Sequence, residues 1–266
     1  MKTVEIIFVV LVYRNTADLL DFFEHLNIPS VKVIIINSYF DDDTESEFKR
    51  IAEQYSADFM SVPNLGYGAG NNRGIEFALQ NYDFKYLVIS NADITIKNMT
   101  MELLDNRKDA IYAPSIRTLS GKQQNPHIPF HSSLMDRLKY IFFLQNNWNM
   151  IMFICALNKV FRILFLAITR HFNGGKIYSA HGSFVILPKS VLQKLAPLYD
   201  ENVFLFTEEE HLAMKARKNN IPTYYVPSID VLHKEDGSTS TISCRQKEIT
   251  RESFITYYKR WYIDNL

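Results

Sequence analysis

The sequence has only two cysteines among its 266 residues, Cys155 and Cys244. They lie far apart and have no Cys/His ligand spacing around them, so the sequence indicates neither a disulfide framework nor a zinc site. Basic and acidic residues balance at 29 each, and the formal charge of zero gives no argument for a nucleic-acid partner. No repeat or low-complexity linker divides the chain. These absences favour one folded domain in a reducing, cytoplasmic compartment.

Acidic residues are nearly missing from the middle of the chain. Asp136 is the only acid between Arg117 and Lys194, whereas lysine and arginine recur along this stretch. The imbalance predicts a basic surface over the middle third.

The same region contains an insertion, residues 127–172, in which aromatic and aliphatic runs replace the sheet pattern. Residues 148–168 are long enough to span a bilayer, but Lys159 and Arg162 near the middle would each cost about 2.5–3.5 kcal/mol there. Lying in the membrane interface is cheaper, because basic side chains then meet anionic headgroups. Packing of these helices on the domain itself or on a second subunit is the alternative.

Elsewhere, short apolar runs alternate with stretches of helical periodicity. This alternation predicts an α/β fold, a mostly parallel sheet with helices on both faces. The opening apolar run is interrupted by Glu5 and lacks a cleavage site, so it is interpreted as a buried first strand. Strands are predicted at 4–12, 31–36, 58–62, 86–90, 111–114, 183–187 and 223–226, and helices at 18–26, 44–55, 72–80, 189–195 and 246–261.

A glycine-rich segment, residues 64–74, precedes a strand that ends at Asn91-Ala92-Asp93. Glycine allows backbone to approach a bulky anion, and ligands of open α/β sheets bind at strand ends. A carboxylate there suits Mg²⁺ or Mn²⁺ bridging the oxygens of a nucleotide diphosphate. Taken alone, an Asp after a strand is more often a turn or helix cap. Its position after the glycine segment makes Asp93 the candidate metal ligand.

A second acidic group, Glu208-Glu209-Glu210-His211, begins a predicted helix. Acids in a first helical turn also favour the helix dipole without any catalytic role. Crowded, partly desolvated carboxylates can, however, have a raised pKa that suits a general base, and Glu209 is the first candidate. His233 follows a later strand, with Lys234 and the loop at residues 236–240 beside it. It is a candidate for metal or phosphate contact, although a lone histidine is more often structural.

Together these motifs resemble inverting, family 2 glycosyltransferases of the GT-A fold, particularly rhamnosyltransferase-like enzymes of capsule or O-antigen synthesis. The family's N-x-G-x-x-x-G-N-N-x-G is matched closely by residues 64–74, and its N-x-D triplet by residues 91–93. In the first half of the chain, residues 9–15 resemble the family's V-x-x-x-Y-x-N and residues 36–42 resemble its V-D-N-x-S-x-D. In the second half, residues 182–184 resemble its G-[AS]-F and residues 199–212 resemble its acidic motif. Residues 226–233 resemble its V-P-x-x-x-V-x-H. The likeness covers most of the chain outside the insertion.

The resemblance implies one GT-A domain with a nucleotide-sugar half at residues 1–115 and an acceptor half at 179–266. It implies a divalent cation on Asp93 and His233, a base at Glu209 or Glu208, and acceptor contacts at Gly182, Ser183 and His211. Donor contacts are expected at Tyr13, Asn15, Asn37, Asp42, Gly66, Gly70, Asn71, Asn72, Asn91 and His233.

The reaction implied is a single displacement that moves a sugar from a nucleotide-diphosphate sugar to a glycan hydroxyl and inverts the anomeric centre. The basic, aromatic insertion suits a lipid-diphosphate-linked acceptor at the inner face of the cytoplasmic membrane. Two residues depart from the family pattern, because Asn37 stands where Asp is common and His211 replaces an acid. A non-catalytic nucleotide-sugar or membrane-surface module, or a sugar nucleotidyltransferase, is therefore the alternative.

Overall fold

The computed structural model describes residues 2–104, 109–234 and 243–264, apart from the side chain of Met101. The strands are β1 (Lys2–Thr3), β2 (Ile6–Val12), β3 (Val31–Ser38), β4 (Asp58–Val62), β5 (Tyr82–Asp83), β6 (Tyr86–Asn91), β7 (Ile94–Asn98), β8 (Ile111–Thr118), β9 (Gly175–Ile177), β10 (Phe184–Pro188) and β11 (Thr223–His233). The helices are α1 (Thr16–His25), α2 (Asp42–Gln54), α3 (Tyr67–Asn81), α4 (Ser133–Leu144), α5 (Trp148–Thr169), α6 (Lys189–Leu195), α7 (Glu208–Lys218) and α8 (Cys244–Tyr258). Short 3₁₀ and π turns occupy Met101–Leu103 and Lys259–Ile263.

The central sheet has the strand order β4-β3-β2-β6-β10-β8-β11-β7, with β9 paired to β11. Strands β4, β3, β2 and β6 are parallel, so their carboxyl ends meet at one edge. Strand β10 runs antiparallel between β6 and β8, and β7 runs antiparallel to β11. The prediction of a mixed, mostly parallel α/β sheet flanked by helices is confirmed.

Hydrophobic residues cover both faces of the sheet, because successive side chains of a strand point to opposite sides. Ile7 and Val9 of β2 pack in one cluster with α3, whereas Phe8 and Val10 pack in the other with α1 and α2. The run at Ile6–Val12 is a buried central strand, as predicted. Cys155 and Cys244 are free and exposed.

The insertion forms the two helices α4 and α5. The apolar segment at residues 148–168 belongs to the single helix α5. Asn158 and Lys159 do not break it, because polar residues are tolerated in helix interiors. Among the described residues, α5 is the one helix long and apolar enough to cross a membrane, and 17% of its most apolar window is buried.

The short strands β1, β5 and β9 were not predicted, and two further differences from the sequence-based assignment concern the site. Strand β7 was not predicted, and β11 continues past residue 226 to His233 after an irregularity between Val226 and Asp230. The extension matters because β7 pairs His233 with Ile94, the residue that follows Asp93. The two candidate metal ligands are therefore brought together by strand pairing.

Candidate functional site

An aromatic and cationic group lies at the carboxyl ends of β2 and β3. The Tyr13 and Phe40 rings meet edge to face with centroids 5.5 Å apart, and the Arg14 guanidinium lies 3.9 Å from the Phe40 centroid. Both rings are more than 40% exposed. Exposed rings beside a guanidinium at this edge form a surface on which a planar base can stack. Arg14 and Phe40 were not predicted from the sequence.

The predicted polar donor contacts beside this group already have partners within the protein. Asn15 caps α1 by accepting from the Ala17 amide at 3.1 Å, and Asp42 accepts from the Tyr39 hydroxyl at 2.8 Å. Asn37 is buried and donates to the Ser61 hydroxyl at 3.1 Å, while its Oδ1 has no hydrogen-bond partner. Asn37 thus keeps one free acceptor at this edge of the sheet.

The glycine-rich segment is used differently from the prediction. Residues 67–74 are the first turns of α3, and their glycines face protein. A Cβ at Gly70 would lie 2.5 Å from Leu11 Cδ1, and one at Gly74 2.4 Å from Val9 Cγ1. At Gly66, where φ is +109°, a Cβ would lie 2.2 Å from the Phe204 carbonyl oxygen. These glycines allow α3 to pack against β2 and against the segment before α7. The distances there are too short for a residue with a side chain.

The paired asparagines of the segment also have internal partners. Asn72 donates to the Tyr199 carbonyl and accepts from the Tyr199 amide, each at 3.0 Å. Asn71 is fully buried and donates to the Tyr67 carbonyl at 3.0 Å, and its Oδ1 has no hydrogen-bond partner. Asn72 therefore fixes the acceptor-side segment onto the nucleotide-side half.

Asp93 and His233 form the candidate metal centre. Asp93 Oδ2 lies 3.1 Å from His233 Nε2, the separation of two neighbouring ligands about a six-coordinate cation with bonds near 2.1 Å. His233 Nδ1 donates a hydrogen bond to Gln124 Oε1 at 2.8 Å. This hydrogen bond leaves the lone pair on Nε2, which faces Asp93. The carboxylate oxygen suits Mn²⁺ or Mg²⁺, and the imidazole nitrogen is a ligand typical of transition metals, so the mixed pair favours Mn²⁺ over Mg²⁺. The pair fits a divalent cation.

Lys234 directly follows His233 and makes two contacts near the metal pair. The Lys234 ammonium is 2.5 Å from Asp21 Oδ2, and it lowers the pKa of that carboxyl by hydrogen bonding and charge. The Lys234 amide donates to the Asp93 carbonyl at 2.9 Å, which fixes the end of β11 beside the metal pair. The loop at residues 236–240, predicted to contact phosphate, lies outside the described residues.

The three glutamates at the start of α7 occupy different environments. Glu209 is partly exposed, and its Oε1 accepts from the Gly182 amide at 3.1 Å. Glu208 is buried with Oε1 unpartnered, and burial followed by the charge of Glu209 raises its pKa well above the ordinary value. Glu210 is buried 3.8 Å from the Lys139 ammonium. Glu209 is thus the accessible carboxylate of the three.

A small cavity of about 150 Å³ places Glu209 on the same cleft as the Asn91 triplet. Tyr67 bridges its two walls, donating to the Gly182 carbonyl at 2.9 Å and lying 3.2 Å from Asn91 Oδ1. Gly182 and Ser183 line the cavity as well. The structure therefore brings together the predicted base, the predicted acceptor turn and the strand that carries Asp93.

Two further histidines lie between Glu209 and His233. The ring of His181 is 6.0 Å from that of His233 and 5.7 Å from that of His127. His127, His181 and Glu209 offer ligand atoms within 4.8 Å of one another, so they could hold a cation. The Ser183 amide donates to His181 Nδ1 at 3.2 Å, and burial lowers the pKa of His181 well below its ordinary value. With Nδ1 accepting this hydrogen bond, His181 offers Nε2 as a donor in the absence of a cation, and it could serve as a ligand only after that proton has left.

His211 is placed elsewhere. It is buried beside Asp200, accepts from the Trp261 indole at 3.1 Å, and lines a different cavity from Glu209. Burial lowers its pKa to about 4. Its contact with an acceptor stays a prediction without support from this geometry.

Sequence reasoning missed Gln124 and His127 and did not make His181 a site candidate. Gln124 belongs to an irregular segment, and no motif marks it. The signal that could have found His181 was its place directly before the Gly182 turn.

No family model matches the chain. A hexosyltransferase of low-salt glycan biosynthesis, Agl10 of Haloferax volcanii, is 20% identical over 228 residues, which are 84% of this chain and 65% of that protein. The chain thus spans slightly less than two thirds of this curated relative.

Solved structures show the fold. GalNAc-T7 with UDP, GalNAc and Mn²⁺ superposes with a TM-score of 0.67 at 10% identity, covering 98% of this chain and 48% of that one. The mannosyltransferase PcManGT of Pyrobaculum calidifontis, in complex with GDP-Man and Mn²⁺, gives 0.56 at 13% identity, covering 98% and 72%. The chain has the GT-A fold of these glycosyltransferases.

Proposed function

We propose that this protein is a metal-dependent, inverting, family 2-like glycosyltransferase. It moves a sugar from a nucleotide-diphosphate sugar to a hydroxyl of a glycan acceptor during surface polysaccharide synthesis of the capsule or O-antigen kind. The observation that carries the proposal is the Asp93–His233 pair, whose side chains lie 3.1 Å apart just beyond the end of β6. The last residue of that strand, Asn91, lines the same cavity as Glu209. The solved structures of this fold that hold Mn²⁺ with UDP or GDP-Man support the same assignment.

The side chains divide the work between donor and acceptor. The Tyr13, Arg14 and Phe40 group stacks the base, next to the end of β3 that carries the buried Asn37. Asp93 and His233 would hold the divalent cation, which would offset the negative charge of the leaving diphosphate.

Glu209 takes the proton of the acceptor hydroxyl as that oxygen bonds to the anomeric carbon. The bond from this carbon to the diphosphate oxygen breaks on the opposite face, so the configuration inverts and a nucleoside diphosphate leaves. The Gly182 amide orients the carboxylate at 3.1 Å, and the neutral His181 supplies an Nε2–H donor beside it. A positioned base contributes on the order of 10²–10⁴-fold.

The test is release of nucleoside diphosphate from a panel of UDP-, GDP- and dTDP-hexoses with Mn²⁺. The wild type is expected to release it from at least one donor, and Asp93→Ala to lose this activity while its circular dichroism is unchanged. Glu209→Gln should bind the donor normally and lose at least about 100-fold in transfer. Pyrophosphate as the product would identify a nucleotidyltransferase instead, and donor binding without turnover would identify a binding module.

We further propose peripheral attachment of α5 to the cytoplasmic face of the membrane. Large apolar side chains are exposed along the helix, at Phe153, Val160, Leu164 and Ile168 among others. The middle of α5 is fixed to the domain, since Asn158 donates to the His127 carbonyl at 2.9 Å. Because one side of α5 is fixed to the domain, an orientation in the membrane interface is more favourable for it than one across the bilayer.

Co-sedimentation with phosphatidylglycerol vesicles tests this attachment. The double variant Phe153→Gln, Leu164→Gln removes two half-exposed apolar side chains and is expected to weaken vesicle binding about tenfold or more. Unchanged sedimentation would favour packing against a second subunit, which analytical ultracentrifugation would detect.

A further inference from the structure

A second cavity, here called the basic cavity, lies between the turn after β8 and helix α5. Its volume is about 290 Å³, several times the roughly 30 Å³ of one water molecule. It is lined by Lys122, Lys159 and Arg162 together with Ser120, Gly121 and Gln123, and by no acidic residue among those described. Three cations sharing one cavity repel each other, so the arrangement is favourable when an anion occupies it.

The cations of the basic cavity have no carboxylate partner among the described residues. Arg162 is half-buried, and its Nη1 donates to the Gln124 carbonyl at 3.3 Å. Within the described ranges, no carboxylate oxygen lies within 4.0 Å of the charged nitrogens of Lys122, Lys159 or Arg162. The turn that carries Lys122 is held in place, because the Lys122 amide donates to Thr118 Oγ1 at 3.1 Å.

Gln124 joins the basic cavity to the candidate metal centre. Its backbone carbonyl accepts from Arg162, and its side-chain Oε1 accepts from His233 Nδ1 at 2.8 Å. The charges of Lys122 and Arg162 also contribute to lowering the pKa of His181, after burial and the neighbouring histidines. Gln124 therefore connects Arg162 of the basic cavity to His233 of the candidate metal centre through two hydrogen bonds.

The other border of the basic cavity is apolar. Ile163 and Leu166 of α5 line it directly, and Ile163 is 57% exposed. Val160 and Leu164 extend the same apolar helix surface and are each 52% exposed. A ligand in this position meets cations at one end and a hydrocarbon-like surface at the other.

We infer that the basic cavity binds the diphosphate of an amphiphilic acceptor, in which a hydrocarbon chain is joined through diphosphate to the glycan. The diphosphate of such an acceptor is a diester with two negative charges, which the three cations of the basic cavity can fully offset, and α5 directs the hydrocarbon towards the membrane. This inference rests on the proposed function and names the acceptor class of the same reaction cleft.

Binding of farnesyl diphosphate, a water-soluble diphosphate amphiphile, tests this inference. Calorimetry is done in EDTA, so that no divalent cation recruits the diphosphate to Asp93. The variant Lys122→Gln, Lys159→Gln changes two exposed side chains, and its matched control, Lys49→Gln, Lys194→Gln, removes the same charge away from the cavity. We expect the dissociation constant to rise at least about tenfold in the first variant and to stay unchanged in the control.

Several outcomes would overturn the inference. Equal affinity of the wild type and the cavity variant for farnesyl diphosphate would do so, as would equally tight binding of farnesol to the wild type. If the cavity variant loses binding to phosphatidylglycerol vesicles but keeps farnesyl diphosphate, the cavity is a lipid headgroup site and the inference is again wrong.

Donor hydrolysis with Mn²⁺, measured on the same samples, separates this inference from the proposed function. Hydrolysis in all variants together with unchanged farnesyl diphosphate binding refutes the acceptor site alone. Loss of binding in the cavity variant, in a protein that hydrolyses no nucleotide sugar, supports the anion site and refutes the proposed transferase.

Discussion

Gln124 is expected to control metal affinity without touching the cation. It is 3% exposed, and its Oε1 accepts the Nδ1 proton of His233 at 2.8 Å, which directs the Nε2 lone pair towards Asp93. Gln124→Met keeps the side-chain volume but removes this acceptor. The imidazole can then change tautomer and rotate, and loss of such an orienting partner weakens metal binding about 10–100-fold, or roughly 1.4–2.7 kcal/mol.

The same change carries a stability cost that can be separated from the loss of metal affinity. His233 is buried, so its unpaired Nδ1–H costs about 1–3 kcal/mol of folding free energy. Gln123→Met is the matched control, since the neighbouring Gln123 donates to Tyr225 Oη at 3.2 Å and not to His233. Gln124→Glu restores an acceptor for Nδ1 and should bind Mn²⁺ at least as tightly as the wild type.

Isothermal titration with Mn²⁺ at neutral pH measures the affinity, and urea unfolding measures the stability. We expect the wild type, Gln123→Met and Gln124→Glu to bind Mn²⁺ with similar affinity. Gln124→Met is expected to bind it at least about tenfold more weakly. A folded Gln124→Met protein with wild-type Mn²⁺ affinity would refute the role of this hydrogen bond and weaken the assignment of His233 as a ligand.

Three further predictions concern stability and donor binding. The raised pKa of buried Glu208 means that its ionisation destabilises the fold as pH rises above the ordinary carboxyl range, so Glu208→Gln should match the wild-type melting temperature at pH 5 and exceed it at pH 8. An equal shift at both pH values would contradict the burial effect. Gly66→Ala combines a positive φ with a Cβ placed 2.2 Å from the Phe204 carbonyl oxygen, and should lose at least about 2 kcal/mol in urea unfolding. Phe40→Ala removes one ring of the exposed group and should weaken UDP or GDP binding by about 1–2 kcal/mol, with Leu65→Ala as the exposed apolar control.

Local patterns in the sequence were sufficient for the architecture and for several site residues. The alternation of apolar runs and helical periodicity predicted the sheet, because burial on two faces requires it. Asp93 could be found from the strand that ends there, and Glu209 from the acids that open α7. Resemblance to a family supplied the roles of these residues, which periodicity alone does not provide.

The glycine-rich segment shows what local reasoning could not supply, and its contact with a donor stays a prediction. Its residue types predicted contact with a phosphate, but the same glycines are equally required where a helix approaches a strand closely. Only the positions of Leu11 and Phe204 show that Gly70 and Gly66 face protein. A glycine in the sequence indicates that there is no room for a Cβ at that position. Only the tertiary structure shows whether a protein atom or a ligand occupies the space.

The sequence by itself determined the sheet, the exposed apolar insertion and the carboxylate at the end of β6. Tertiary structure alone decided that Gln124 orients His233 and that Lys122, Lys159 and Arg162 share one cavity. These residues are separated along the chain and belong to different elements. Their proximity depends on strand register and on how α5 packs, which are set by long-range contacts that no local pattern records.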